Sequence, residues 1–317
     1  MIDDSMIVAG IDIGKTWLDI ACHPSGLALR VTNTPADHAR LIDWLHAQGA
    51  GRIGLEASGG YERGVAAALR DAGFEVAVLQ PRQVRAFALF RLKLAKNDRL
   101  DAALIARCTA ELDEVRAAPD PQLEPLAEHL RLIEQLEADL ARTRTRAEAY
   151  RTPRLQRALA READRLAARV KAELLLLGKA VGAIADLARR MALIESVQGI
   201  GRRTALTLVI LMPELGRLNR AEVASLAGLA PFDRDSGHYR GQRRIAGGRH
   251  RVRRALYAAA LPASFRWNPA LVDSYKRLRA NGKNHKQALT ACARKLLTFA
   301  NAVLARGSQW THADNGC

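Results

Sequence analysis

Four acidic residues stand at positions where a carboxylate can do chemistry. Asp12 and Glu56 each end a short apolar run that predicts a buried strand. A carboxylate in such a place is costly unless a cation or a hydrogen-bonding group pairs with it. Asp98 and Asp101 are three residues apart, so on a helix they share one face, with about 5–6 Å between their Cβ atoms. If the two strands are neighbours, all four carboxylates can converge.

Converging carboxylates repel one another, and a divalent cation relieves that repulsion. Oxygen-only ligands select Mg²⁺ or Mn²⁺, and two such ions about 3.5–4 Å apart can clamp the attacking and leaving oxygens of a phosphoryl transfer. Each acid taken singly also has a simpler explanation. Asp98 can be a helix N-terminal charge, Glu56 can cap the next helix, and Asp12 before Gly14-Lys-Thr16 can belong to an ATP-binding turn.

The order of elements around these acids predicts a mixed α/β sheet. Three strands are expected at 6–13, 17–23 and 27–32, and further strands at 52–56 and 75–79, with helices between and after them. Prolines at 119, 121 and 125 indicate a linker. Beyond it, apolar residues recur at helical spacing on both sides of Pro153, which predicts an antiparallel coiled-coil hairpin. The expected domains are 1–118, 119–190, a helical domain at 191–306 and a disordered tail at 307–317.

Composition indicates a polyanionic partner. Lysine and arginine number 49 against 33 acids, giving a formal charge of +16, which favours nucleic acid over a membrane surface. The four cysteines are far apart and predict reduced thiols in the cytosol. No uncharged apolar run is long enough to span a bilayer, and no signal peptide is expected.

A second chemical candidate is Ser236, in the polar run Asp233-Arg-Asp-Ser-Gly237. Eight arginines and two aspartates lie between 233 and 254, a pattern typical of a loop that grips phosphates. From the residues alone, a turn serine is favoured over a nucleophile. The expected nucleic-acid contacts are Lys15, Arg240, Arg243, Arg244, Arg249 and Arg251.

Three further features carry weaker signals. Residues 142–157, at the expected hairpin tip, hold six arginines against one acid, and a solvated tip is as plausible as a nucleic-acid contact. Gly199-Ile-Gly201 between helices resembles a helix-hairpin-helix turn, although plain helix packing explains it equally well. The four tryptophans are scattered and indicate no stacking platform.

The chain resembles the four-acid (DEDD) transposases of bacterial insertion sequences. The matching runs in the first half are Gly10-Ile-Asp-Ile-Gly14, Leu55-Glu-Ala-Ser-Gly59 and Lys96-Asn-Asp-Arg-Leu-Asp101. Those in the second half are Ser196-Val-Gln-Gly-Ile-Gly201, Leu226-Ala-Gly-Leu-Ala-Pro231, Asp235-Ser-Gly237, Arg240-Gly-Gln-Arg-Arg-Ile245, Val252-Arg-Arg-Ala-Leu256 and Ala293-Arg-Lys-Leu-Leu297. The resemblance implies an N-terminal domain similar to the RuvC resolvase, with a ribonuclease-H-like fold, and a second domain carrying a catalytic serine.

The resemblance also implies a function: a recombinase that moves its own element, guided by a structured RNA that pairs with donor and target DNA. Its metal-binding acids fall on Asp12, Glu56, Asp98 and Asp101, with Mg²⁺ or Mn²⁺ as the cofactor, and its serine falls on Ser236. Double-stranded DNA, a homodimer or homotetramer, and a cytoplasmic, nucleoid-associated location are expected.

Three other functions stay open at this point. They are a junction-resolving endonuclease that uses water, a non-catalytic nucleic-acid-binding protein, and a small-molecule kinase. The kinase would need a second glycine-rich phosphate loop, which the later half of the sequence lacks.

Overall fold

The computed structural model describes residues 6–92, 98–115, 120–232 and 244–311. Contacts divide the chain into two units, Met1–Ala118 and Pro119–Cys317. The first unit is built on a sheet and the second on helices.

The first unit contains a five-stranded mixed sheet with the strand order β3-β2-β1-β4-β5. Strand β2 runs antiparallel to both of its neighbours, β1 and β3. The last two strands run parallel to β1 and to each other. The strands are β1 (Ile7–Ile13), β2 (Trp17–His23), β3 (Ala28–Thr32), β4 (Ala50–Glu56) and β5 (Glu75–Leu79).

This sheet confirms the predicted ribonuclease-H-like architecture. Short turns join the antiparallel strands, whereas the parallel strands are reached through helices, as a parallel connection requires. The helices of the unit are α1 (Pro35–Ala47), α2 (Glu62–Asp71), α3 (Pro81–Phe90) and α4 (Asp98–Ala110).

One face of the sheet forms a core with α1 and α2. Ile11 of β1 and Leu55 of β4 are completely buried there, together with Leu41 of α1 and Val65 of α2. Burying side chains of this size contributes about 1.5–3 kcal/mol each. This core fixes β1 and β4 side by side.

The opposite face of the sheet is covered by α4, and two glycines make room for it. A Cβ atom added at Gly10 of β1 would overlap backbone atoms of Ala102 and Ala106, and one at Gly54 of β4 would overlap the side chain of Thr109. Only glycine lets a helix approach a strand this closely. The two glycines therefore seat α4 across β1 and β4.

The second unit is mostly helical. Its helices are α5 (Leu123–Ala149), α6 (Pro153–Gly182), α7 (Ala185–Glu195), α8 (Arg202–Leu211), α9 (Arg220–Leu226), α10 (His250–Pro262), α11 (Pro269–Ala280) and α12 (His285–Arg306). A π-helical turn, Ala263–Trp267, follows α10, and a short antiparallel pair consists of β6 (Pro231–Phe232) and β7 (Arg244–Ile245).

Helices α5 and α6 form an antiparallel hairpin. His129 Nε2 of α5 lies 2.8 Å from Glu173 Oε2 of α6. The two residues are equally far along the chain from the turn that joins the helices, as antiparallel packing requires. Leu130, Ile133 and Leu177 of the hairpin are fully buried in the same core as the later helices. The assignment of 119–190 as a separate coiled-coil domain therefore stays a prediction.

Helix α12 lies in the centre of this second core, where Leu296, Leu297, Phe299 and Ala300 are almost completely buried. Among the described helices it is the one long and apolar enough to cross a membrane, and 56% of its most apolar window is buried within the protein.

The end of the described chain corrects one expectation. Residues 307–311 belong to the stretch predicted to be disordered, yet Trp310 is 8% exposed and packs on Phe299 with 6.2 Å between ring centroids. Its backbone N–H donates to Ser196 Oγ at 2.9 Å. A large aromatic side chain gains more from this core than the short tail loses in entropy. Residues 312–317 lie outside the described residues.

Three of the four cysteines lie within the described chain, and all three are buried free thiols: Cys22, Cys108 and Cys292. Burial raises the pKa of each thiol, which keeps it protonated and unreactive. The reduced, cytosolic state of the cysteines stays a prediction.

Candidate active site

Asp12 and Glu56 lie next to each other at one edge of the sheet. The parallel strands β1 and β4 pair Ile11 with Leu55, and each acid is the residue that follows. Both acids are partly buried, and neither is without an interaction partner. The carboxyl ends of two neighbouring parallel strands therefore present two carboxylates together.

The two acids also point to the same face of the sheet. Side chains alternate along a strand, so Asp12 shares a face with Gly10, and Glu56 shares a face with Gly54. Those glycines lie under α4. The acids therefore project on the side of the sheet that carries this helix.

The direction of α4 brings its N-terminal end to that edge. Arg52, near the start of β4, donates from Nη1 to the carbonyl oxygen of Leu112 at 2.7 Å. Leu112 lies just beyond the C-terminal end of α4, which places that end over the start of the strand. The opposite end, beginning at Asp98 and including Asp101, lies toward the carboxyl ends of β1 and β4.

The backbone thus brings the carboxyl ends of β1 and β4 and the N-terminal end of α4 to one edge, where carboxylates would offer the oxygen donors that suit Mg²⁺ or Mn²⁺. Among the side chains that the structure describes, no three histidine, cysteine or acidic groups form a metal-holding cluster. The side chain of Asp98 is not among the described side chains. Metal binding by the four acids stays a prediction.

A hydrogen-bond clamp, formed by Asn33 and His38, holds the two turns that follow the acids. The amide of Asn33 donates to the carbonyl oxygen of Gly14 at 3.1 Å and to that of Tyr61 at 3.2 Å. His38 Nε2 lies 2.9 Å from Asn33 Oδ1, which orients the amide. Sequence reasoning missed this clamp, because its parts come from three separated segments.

The turn after Glu56 is also fixed from within. Glu62 Oε2 accepts hydrogen bonds from the backbone N–H of Ser58 at 3.1 Å, from the Ser58 hydroxyl at 3.1 Å and from the N–H of Gly60 at 2.8 Å. Burial alone raises the pKa of Glu62, but these hydrogen bonds and that of its own N–H together lower it. Glu62 is therefore an ionised brace of this turn.

The predicted serine lies outside the described residues, as do Arg240 and Arg243. The residues that flank this stretch are described: β6 and β7 pair Phe232 with Arg244. The chain therefore enters and leaves the stretch 233–243 at one place on the second unit.

The remaining predicted nucleic-acid contacts fall into two groups. Lys15 and Arg244 are exposed. Arg249 instead makes two hydrogen bonds to Glu214, at 2.7 and 2.5 Å, and Arg251 lies 2.7 Å from Glu134. These carboxylate partners favour a structural role for both arginines, and their contact with nucleic acid stays a prediction.

Two family profiles match the chain. A DEDD profile of IS110-type elements, described as transposase, matches residues 9–162. A second profile, described as the transposase IS116/IS110/IS902 family, matches residues 191–276. The first match includes all four acids, and the second includes Ser236.

Similar proteins include the pilin gene-inverting protein of Moraxella lacunata, which is 28% identical over 309 residues, covering 93% of this chain and 94% of the relative. An uncharacterised protein of insertion element IS110 from Streptomyces coelicolor is 35% identical over 117 residues. The match covers 36% of this chain and 29% of the Streptomyces protein.

Among solved structures, Thermus thermophilus RuvC in complex with a Holliday junction substrate is 22% identical and covers 33% of this chain and 92% of its own, with a TM-score of 0.28.

Proposed function

Because this chain belongs to the IS116/IS110/IS902 transposase family, we propose that it cuts and exchanges DNA strands by a metal-dependent phosphoryl transfer at Asp12 and Glu56. The observation that carries the proposal is the adjacency of these acids on β1 and β4, with the N-terminal end of α4 directed to the same edge. Double-stranded DNA at the element ends and at the target is the substrate.

The acidic residues have one role in this proposal. Asp12, Glu56, Asp98 and Asp101 hold Mg²⁺ or Mn²⁺, and the bound ion supplies positive charge near the phosphate oxygens. Lys15, exposed in the turn after β1, contacts the DNA backbone. The Asn33–His38 clamp keeps the two turns in place while DNA binds.

Ser236 is the nucleophile in this proposal. Its Oγ bonds to the scissile phosphorus as the bond from that phosphorus to one strand oxygen breaks. The serine proton passes to solvent, and the departing strand oxygen takes up a proton. A hydroxyl of the second strand then attacks the same phosphorus and gives up its proton to solvent. The bond from phosphorus to the serine Oγ breaks, and Oγ takes up a proton, which restores a phosphodiester and releases the serine. Phosphodiester energy is retained, so ATP is not needed.

Specificity and assembly complete the proposal. A structured RNA from the element pairs with donor and target DNA, so that base pairing carries sequence specificity. Exchange of four strands requires several active sites, which a homodimer or homotetramer supplies. The formal charge of +16 suits both nucleic acids, and a cytoplasmic, nucleoid-associated location follows from such partners.

The metal part is tested by substituting Asp12 or Glu56 with its amide and measuring recombination between donor and target plasmids in Mg²⁺. We expect a loss of at least about a hundredfold. Asp43→Asn, an exposed acid on α1, is the matched control and should retain activity. Full recombination by Asp12→Asn, or in excess chelator, would contradict the metal site.

The nucleophile is tested separately with labelled DNA on a denaturing gel. Ser236→Ala should abolish the covalent protein–DNA adduct, whereas Ser225→Ala, an exposed serine on α9, should keep it. Cleavage that persists without any adduct would instead identify a resolvase-type nuclease that uses water.

A second candidate is inversion of a DNA segment. It is favoured by the similarity to a pilin gene-inverting protein over 93% of this chain. Plasmids carrying the same two sites in inverted or direct orientation distinguish the outcomes. An inverting enzyme should flip the segment between inverted sites, whereas a transposase should also insert into an unlinked target.

A further inference from the structure

Three aromatic rings from separate elements meet on the surface of the second unit. The Phe265 ring, in the π-helical turn, lies 5.0 Å from that of Tyr275 on α11 and 6.3 Å from that of His285 on α12, measured between centroids. The Tyr275 and His285 rings are 5.9 Å apart. Phe265, Tyr275 and His285 are called the aromatic patch below.

The aromatic patch is open to solvent. Phe265 is 56% exposed, and Trp267, two residues further along the same turn, is also 56% exposed. His285 is exposed as well. Apolar side chains that are exposed to this extent gain little free energy from burial. The Phe265 and Trp267 rings therefore contribute little to the stability of the core.

The patch is held in a fixed shape. Asn268 is fully buried, donates from Nδ2 to the carbonyl oxygen of Gln198 at 2.8 Å and caps α11. Its N–H donates to the carbonyl oxygen of Ala263 at 3.0 Å, which closes the π-helical turn. The Tyr275 hydroxyl lies 2.7 Å from His285 Nδ1, which joins α11 to the start of α12. The rings are therefore preorganised, so binding does not have to order them.

The surroundings of the patch are basic. Between residues 262 and 290 the sequence has six lysines or arginines and one acid, Asp273. Arg266 lies over the Trp267 ring, with its guanidinium carbon 4.9 Å from the ring centroid. Exposed rings within a basic surface are the combination with which proteins hold single-stranded nucleic acid, because bases stack on rings and phosphates contact cations.

We propose that the aromatic patch binds an unpaired base of single-stranded DNA or RNA by stacking on Phe265, while neighbouring cations contact the phosphates on either side. The site lies wholly within the second unit and requires no metal. It holds nucleic acid whether or not the acidic edge of the first unit cuts DNA. The scattered tryptophans in the sequence did not indicate it, since the platform is formed by phenylalanine, tyrosine and histidine.

The test titrates the full-length protein, in chelator, with fluorescent 12-mers of dT or U and with a blunt DNA duplex of equal length. Phe265→Ala should weaken binding of the single strands about tenfold and leave duplex binding within twofold. Comparing dT with U shows whether the site prefers DNA or RNA. Leu261→Ala, which removes a 44% exposed apolar side chain from α10, is the control and should change nothing.

An abasic 12-mer separates stacking from phosphate contact. Wild type and Phe265→Ala should bind it equally, because no base is present to stack. Phe265→Tyr keeps a ring and should restore binding to the dT 12-mer. Unchanged affinity of Phe265→Ala for both single strands overturns the proposal, as does an equal loss on the abasic strand. Because these assays measure binding without metal, their failure is distinct from failure of the strand-exchange proposal.

Discussion

The two units hold their charged residues by different means. In the first unit, a sheet edge and a helix end direct acids to one place, and the close approach of α4 over Gly10 and Gly54 makes that possible. In the second unit, Glu134 takes part in ion pairs with Arg203, Arg251 and Arg254, at 3.7, 2.7 and 3.6 Å. Acids in the first unit are presented at an edge, whereas several arginines of the second unit are used in joining helices.

This difference shows that the number of basic residues overstates the surface available to nucleic acid. Several of the 49 lysines and arginines are arginines that pair with carboxylates across α5, α8 and α10. These arginines contribute to the packing of the second unit. The exposed arginines of the hairpin turn, such as Arg144, Arg146 and Arg151, and the cations around the aromatic patch are the better candidates for phosphate contact.

The largest expected effect is at Gly54. Gly54→Val would drive a side chain into Thr109 and lift α4 from the sheet. We expect a loss of about 3 kcal/mol or more in the free energy of unfolding, together with loss of recombination. Urea denaturation measures the first. Gly51→Ala on the same strand is the control, since its added Cβ would meet only the Met6 side chain at 3.5 Å. Equal stability of the two variants would show that α4 does not depend on close approach.

The next effect is at Glu134, whose side chain is 11% exposed. Glu134→Ala leaves Arg251 without its carboxylate and should cost about 2–3 kcal/mol, measured by thermal unfolding. Asp186→Ala, which breaks an exposed pair with Arg189, should cost less than about 0.5 kcal/mol. If both variants unfold at the same temperature, the arginines of α8 and α10 do not have a structural role.

A smaller effect is expected at Asn33. Asn33→Ala removes the bonds to Gly14 and Tyr61 and should cost about 1–2 kcal/mol, yet it should reduce recombination more than this loss of stability explains. Asn219→Ala removes a helix cap in the second unit at a similar cost in stability. It should leave recombination intact at low temperature. Equal activity of the two variants would argue against a positioning role for Asn33.

The smallest effect concerns pH. Burial lowers the pKa of His38, while Asp37 partly opposes this. The unfolded chain therefore takes up a proton more readily than the folded one, and stability falls as pH drops through the ordinary histidine range near 6.5. Between pH 7 and pH 5, His38→Gln should lose less stability than wild type in urea denaturation. An identical loss would mean that protonation of His38 does not contribute to the pH dependence of stability.

Several parts of the fold and of the site followed from the sequence alone. Alternating apolar residues and turn signals indicated the five strands, and the carboxyl ends of two of them indicated Asp12 and Glu56. Helical periodicity indicated the hairpin of α5 and α6. These features are local, because a few consecutive residues are enough to define the periodicity of a strand or a helix.

Only the tertiary structure decided the rest. It showed which way α4 crosses the sheet, which arginines are paired with acids, how Asn33 joins two turns, and that Phe265, Tyr275 and His285 meet at the surface. Each of these depends on contacts between segments far apart in the chain, and such contacts follow from how whole elements pack rather than from local periodicity. The sequence by itself determined which residues can do chemistry, and the packing of helix on sheet and helix on helix determined where each of them is held.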